Sequence, residues 1–128
     1  MIIRHTLSVV LLALAVSCVS VEYVRISDEK AAPKALNCDL EIFSTKLPAR
    51  DYVELGILEA EGSGSAASLK DLLPEMKRKA CEAGGDAIIL SGSQRSTTTS
   101  GTVSPGTGGT VATTPHLHAN ATVVRWRD

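Results

Sequence analysis

Residues 79–89 read Lys79-Ala80-Cys81-Glu82-Ala83-Gly84-Gly85-Asp86-Ala87-Ile88-Ile89 and predict the end of a helix followed at once by a strand. Gly84 stands where a helix that ends in the left-handed conformation requires a glycine. The run Asp86-Ala87-Ile88-Ile89-Leu90 is mostly apolar, which is typical of a strand with a neighbour on each side. We therefore expect this strand in the middle of a sheet.

An amphipathic helix should precede this junction. Proline is tolerated only in the first turn, so Pro74 predicts that the regular helix begins with Asp71 as its N-cap. At the helical period, one apolar stripe should face the sheet. Its residues are Leu72, Leu73, Met76, Ala80 and Ala83.

Alternating residues predict further strands around the helix. Residues 38–43 alternate with the period of a half-buried strand, which would turn Cys38 toward the core. Residues 52–60 form a second strand before the helix, and residues 119–127 a last one that pairs with Ile88 and its neighbours in a long hairpin. The sequence thus predicts an α/β (α+β) two-layer sandwich with about four strands and one helix, in the order β-β-α-β-β.

Two segments are harder to assign. Residues 91–115 are almost all Ser, Thr and Gly, and such a composition buries too little apolar surface to order itself. We expect a mobile loop there, with a protruding hairpin as the alternative. Residues 18–35 are interpreted as a spacer, although the alternation at 19–26 is also compatible with a short edge strand. The domain proper should span residues 36–128.

The first residues indicate export. Residues 1–17 combine a basic start, an apolar run of about ten residues and small residues before a cut, as secretory signal peptides do. Leu14-Ala15-Val16-Ser17-Cys18 resembles the lipobox of bacterial lipoproteins, in which the cysteine is joined to diacylglycerol. The resemblance implies that Cys18 becomes the acylated first residue. The alternatives are an ordinary signal peptide cut near Ser17 and an uncleaved anchor.

The two other cysteines, Cys38 and Cys81, are an even pair in an exported chain, which favours a disulfide. Free buried thiols, or a redox or metal role, are the alternatives. His116 and His118 are two residues apart in a predicted strand, so their side chains should point the same way and could complete a four-ligand zinc site with the cysteines. Histidines beside a Thr-rich segment are more often ordinary surface residues, so we expect no metal and no cofactor.

Composition argues against several functions. Loss of residues 1–17 removes Arg4 and changes the formal net charge from −1 to −2, which argues against nucleic-acid binding. The carboxylates on the predicted strands form no visible catalytic pair, and the many serines have no base and acid to activate them. The sequence therefore predicts a protein that is not an enzyme and has no evident small-molecule substrate.

Residues 38–43, Pro48, 52–56 and 79–89 together are similar to a broad, mostly uncharacterised set of small bacterial envelope lipoproteins. Their fold is related to that of the sensor lipoprotein of the Rcs envelope-stress system. The resemblance covers structural motifs, so it implies a fold and names no chemistry.

We expect a lipid-anchored envelope protein that acts without catalysis, as a binding or envelope-surveillance module for a protein partner. In bacterial lipoproteins the residue after the acylated cysteine directs sorting, and an aspartate there retains the protein in the inner membrane. Residue 19 is Val, so the outer membrane, with the domain facing the periplasm, is favoured. The alternatives are a periplasmic metal- or thiol-based sensor and a purely structural lipoprotein, or a secreted or soluble periplasmic protein. One helix leaves the second face of the sheet uncovered, and apolar residues there would mark a partner surface.

Overall fold

The computed structural model describes residues 18–29, 31–104, 106 and 108–127. The predicted signal peptide, residues 1–17, lies outside the described residues. Within them the chain has five strands and one α-helix. These are β1 (Val19–Arg25), β2 (Glu41–Phe43), β3 (Tyr52–Ser63), α1 (Leu69–Glu82), β4 (Ala87–Ser104) and β5 (Gly108–Trp126), with a short 3-10 turn at Gly64–Ala66. No helix in this part of the chain is both long and apolar enough to cross a membrane.

The strands form one mixed sheet in the order β1-β3-β5-β4-β2. The pairs β1–β3, β3–β5 and β5–β4 are antiparallel. The edge strand β2 pairs with β4 in parallel. The α+β class with one helix is confirmed, but four strands in the order β-β-α-β-β is wrong. The additional strand is β1, which lies where a spacer was expected and a short edge strand was the alternative. It joins the sheet because Val19, Val21 and Tyr23 pack against the core.

The core lies between α1 and one face of the sheet. Leu72, Met76 and Ala80 are fully buried on the helix, as predicted, and Leu73 and Ala83 are partly buried beside them. The small side chains on β5 let the helix approach the sheet closely. The helix meets a buried sheet surface formed by Leu55, Leu58, Ala60, Ile88, Leu117, Ala119, Ala121 and Val123.

The helix begins earlier than predicted. Its N-cap is Ser68, one turn before Asp71. The Ser68 carbonyl accepts hydrogen bonds from the N–H groups of Asp71 and Leu72 at 3.1 and 3.2 Å, and its hydroxyl bonds to the Asp71 carboxylate. Pro74 therefore lies inside the helix, where it removes the N–H that the carbonyl of Lys70 would accept. Both residues are exposed, so water can replace that donor.

The end of the helix is as predicted. Gly84 has φ +82°. Its N–H donates to the Cys81 carbonyl at 3.0 Å, and the N–H of Gly85 donates to the Ala80 carbonyl at 2.9 Å. These two bonds are those of a Schellman motif, which satisfies the last helical carbonyls and turns the chain toward β4.

The strand expected at residues 38–43 is shorter, because β2 covers only Glu41–Phe43. Cys38 lies before it in a turn, where its N–H donates to the Ala35 carbonyl at 2.9 Å. Alternation alone did not show that β2 is an edge strand, held only by parallel pairing from Glu41↔Ala87 to Phe43↔Ile89.

Residues 91–104 and 108–115 form a two-stranded ribbon, as in the protruding-hairpin alternative, and not a mobile loop. β4 and β5 pair from Ala87↔Val124 to Ser104↔Gly108, with the predicted pairing Ile88↔Val123 at the base and one irregularity between Leu90 and Gly92. A ribbon that continues an existing sheet needs little apolar burial, so its Ser, Thr and Gly content does not prevent it from ordering. Backbone bonds and cross-strand pairs of β-branched residues, such as Thr99↔Thr113, support it instead.

Candidate functional site

Cys18 lies at one end of the sheet, immediately before β1. Its side chain is exposed and its thiol is free. Its carbonyl accepts a hydrogen bond of 3.1 Å from the N–H of Ser63, and the next residue, Val19, pairs with Gly62. The backbone of Cys18 is thus fixed to the domain, and no flexible residues separate the two.

The sheet around this cysteine is tightly packed. A Cβ on Gly62 would lie 2.1 Å from the carbonyl oxygen of Ala66 and 2.8 Å from Cδ2 of Leu72. Only glycine allows the 3-10 turn and the first part of α1 to approach β3 so closely. The backbone that holds Cys18 therefore belongs to the rigid part of the molecule.

A disulfide joins Cys38 to Cys81, with 5.9 Å between their Cα atoms. It ties the turn before β2 to the end of α1, where Cys81 has no exposed surface. Beside it, the N–H of Lys34 donates to the Cys81 carbonyl at 2.9 Å. The segment that leads into β2 is thus held against the helix by a covalent bond and by a backbone hydrogen bond.

Asp86 makes a second junction next to the disulfide. Its carboxylate pairs with the ammonium of Lys34, which also donates to the Gly85 carbonyl at 3.0 Å. Burial favours a higher pKa for Asp86, but Lys34, the backbone N–H of Trp126 and the nearby charge of Arg125 outweigh it and lower that pKa. A charged carboxylate is therefore favoured at the start of β4.

The two histidines lie on the sheet face away from α1. His116 Nδ1 and His118 Nε2 are 3.7 and 3.8 Å from the same oxygen of Glu61. Both side chains point to the same face, as the spacing predicts, and Thr98 also bonds His116. Cys38 and Cys81 are bonded to each other, so the Cys2His2 arrangement is not formed. In the part of the chain that the structure describes, no three His, Cys, Asp or Glu side chains are grouped to hold a metal ion.

This uncovered face is mostly polar near the histidines and apolar at one small patch. Glu22 pairs with Glu59, and Val24 pairs with Ile57 two residues further along. The two apolar side chains are 51% and 38% exposed. They offer a small exposed apolar contact on this face.

An aromatic cluster at the other end of the sheet could not be predicted from the sequence. Phe43 and Trp126 meet edge to face at 6.1 Å between ring centroids, and the guanidinium of Arg50 lies 4.6 Å from the Trp126 centroid. The contacts join β2, β5 and the connection before β3, which are distant in sequence. No local pattern marks them.

No family model matches the chain, and no curated protein matches it. Among solved structures, the chain is similar to the crystal structure of the Francisella virulence factor FvfA, with 13% identity and a TM-score of 0.43. The match covers 86% of this chain and 99% of that one. A likeness at this level carries no information on function.

Proposed function

We propose that this protein is a lipid-anchored bacterial envelope protein whose domain binds a protein partner without catalysis. The observation that carries the proposal is the position of Cys18. Its side chain is exposed at the first residue of the domain, and its backbone bonds to Ser63. Acyl chains at this thiol would hold the sheet at the membrane surface, and several chains anchor a protein far more firmly than one.

The disulfide supports an oxidising compartment, because such bonds persist in the periplasm and outside the cell. With Val19 after the acylated cysteine, the proposed site is the outer membrane, with the domain in the periplasm. This agrees with the similarity of residues 38–43 and 79–89 to envelope lipoproteins of the Rcs-sensor type. A secreted or unanchored periplasmic protein is the alternative.

Partner binding is the proposed work of the uncovered sheet face. The neighbouring side chains of Val24 and Ile57 offer an apolar contact, and Glu22, Glu59 and Glu61 lie next to them on the same face. Surfaces of this kind, with a small apolar centre and a charged surround, fit a protein partner with basic residues at its edge. A surveillance role would follow if that partner transmits a signal.

The test compares the wild type with Cys18→Ser in a bacterial host. We expect the wild type to fractionate with membranes and to gain the mass of its acyl chains after loss of residues 1–17. Cys18→Ser should lose both properties. A Cys18→Ser protein that stays in the membrane fraction would contradict the anchor.

The same preparations separate the rival functions. A loss of two hydrogens between Cys38 and Cys81, reversed by reductant, agrees with a structural disulfide. Two free thiols together with a chelator-sensitive metal would favour the metal- or thiol-based module. Crosslinking at Ile57, with Leu47 as an exposed control site, would capture a partner. Its failure would favour a purely structural lipoprotein.

A further inference from the structure

We propose that the ribbon formed by residues 96–104 and 108–115 lies in the headgroup layer of the membrane that carries the anchor. This inference rests on the proposed acylation of Cys18. Its starting point is the geometry of the sheet, which places the cysteine and the base of the ribbon side by side.

Four residues mark one row across the sheet. The Cys18 carbonyl bonds to the N–H of Ser63, Ser63 pairs with His116, and His116 pairs with Ser96. β1 runs away from this row in one direction, whereas β3 and β4 run toward it and β4 continues past it. The ribbon therefore projects from the same end of the sheet as Cys18.

The projection is long. The pairing continues from Ser96↔His116 to Ser104↔Gly108, which at the usual rise of a strand is about 27 Å beyond the level of the cysteine. Acyl chains at Cys18 would bring that level to the bilayer surface. A ribbon that starts at that level and continues from the same end of the sheet then lies within reach of the headgroup layer.

The composition of the ribbon fits such contact. Residues 96–115 contain no Asp, Glu, Lys, Arg or His, although these residue types are frequent in the rest of the domain. The segment therefore has no acidic side chain that anionic headgroups would repel. Val111 is 70% exposed near the tip, so it offers an apolar side chain for this contact.

The backbone determines how deep the ribbon can lie. β4 and β5 pair with each other, and among the described residues the outer edge of each strand beyond Ser96 and His116 has no strand neighbour. In hydrocarbon the N–H and C=O groups of that edge would lack hydrogen-bond partners, which is costly. Headgroups and interfacial water can supply partners, so the ribbon should lie along the interface and not cross the bilayer.

The test uses the mature, acylated protein in vesicles of phosphatidylethanolamine with a minor fraction of phosphatidylglycerol. Val111→Cys takes a fluorophore that reports contact with water, and Leu47→Cys is the matched control. Both positions are 70% exposed, but Leu47 lies in the connection to Tyr52, which pairs with Trp126 at the opposite end of the sheet. Cys38 and Cys81 do not react because they are bonded to each other.

We expect a blue-shifted emission at position 111 and quenching by iodide that is severalfold weaker than at position 47. Equal quenching at both positions on protein that floats with the vesicles would overturn this inference and leave the anchor standing. Protein that does not float would contradict the anchor and the inference together. Shielding at position 111 that persists in Cys18→Ser protein without vesicles would indicate pairing with a second copy, which also overturns it.

Discussion

The carboxylate of Asp86 accepts a hydrogen bond of 2.8 Å from the backbone N–H of Trp126, forty residues further along the chain. The same carboxylate pairs with Lys34, and the Asp86 N–H donates to the Val124 carbonyl at 2.8 Å. One residue therefore joins the segment before β2, the start of β4 and the end of β5. It is a structural junction that the sequence shows only as the polar residue in Gly84-Gly85-Asp86-Ala87.

Removal of this carboxylate should destabilise the domain. We expect Asp86→Ala to lower the free energy of unfolding by about 1–3 kcal/mol, because the Trp126 N–H loses a charged acceptor. Asp86→Asn should lower it less, since the amide oxygen can still accept that bond. Urea unfolding measures both. Glu75→Ala is the control, because its ion pair with Arg78 is exposed and should contribute under about 1 kcal/mol. If Asp86→Ala and Asp86→Asn lose the same free energy of unfolding, the stabilisation comes from the charge of the carboxylate alone and not from its hydrogen bond to Trp126.

The contribution of Asp86 should depend on pH with a definite sign. Its pKa is lowered in the folded state, so the unfolded state takes up a proton first as pH falls. The stabilisation is fully present above the ordinary value of about 3.9 and is lost as the pH drops through the folded pKa. The difference in the free energy of unfolding between the wild type and Asp86→Asn should be constant from about pH 7 to about pH 5. It should shrink as the pH falls below about 4. Urea unfolding at a series of pH values tests this, and a difference that persists unchanged at acid pH would contradict it.

The disulfide should account for a large share of the stability. Cys38 and Cys81 are separated by 43 residues. Closing a loop of this size removes about 4 kcal/mol of denatured-state entropy in the chain-entropy model. We expect the double variant Cys38→Ala and Cys81→Ala to lose about 2–5 kcal/mol in urea unfolding. Reductant should produce a similar loss in the wild type and none in the variant, whereas an unchanged midpoint in both would contradict the prediction.

Patterns within a few residues predicted the parts of the fold that local chemistry determines. The apolar spacing of Leu72, Met76 and Ala80 predicted the buried face of the helix. Gly84 predicted where the helix ends. Pairing between distant segments was not visible in the same way. β1 is a strand because it pairs with β3, where Val21 lies opposite Ala60. In the same way, β2 is a strand because it pairs with β4. The candidate site divides in the same way. The disulfide was predicted from residue types, and the acylation of Cys18 remains a prediction from the lipobox resemblance. The row that joins Cys18 to the ribbon depends on the register of four strands.

Close packing beneath Cys18 predicts a pair of glycine variants with opposite outcomes. Gly62→Ala would place a methyl group against the Ala66 carbonyl, so we expect a loss of about 1–3 kcal/mol from forced rearrangement. Gly92→Ala has nothing within 4 Å of the added carbon and should leave stability within about 0.5 kcal/mol of the wild type. Thermal unfolding followed by circular dichroism compares them. Similar midpoints for the two variants would show that the packing around Gly62 adapts easily.

The ribbon should be dispensable for folding even though it is regular. The core cluster uses β5 from Leu117 onward, and the described side chains of residues 97–99 and 111–114 are exposed. We expect a variant in which Asn-Gly replaces residues 97–115 to keep its free energy of unfolding within about 1 kcal/mol, because this dipeptide closes a two-residue hairpin between Ser96 and His116, which both have the N–H that the closing pair needs.

Urea unfolding and the yield of the oxidised form measure this outcome. The control replaces the same residues with a flexible Gly-Ser segment as long as the ribbon. It shows whether stability depends on the ribbon itself or on a tight turn that closes the hairpin. Longer loops cost more closure entropy, so the control should be the less stable of the two. If both variants unfold far below the wild type, the ribbon contributes to the stability of the domain. If both remain folded, folding does not require the ribbon, which agrees with a role in membrane contact.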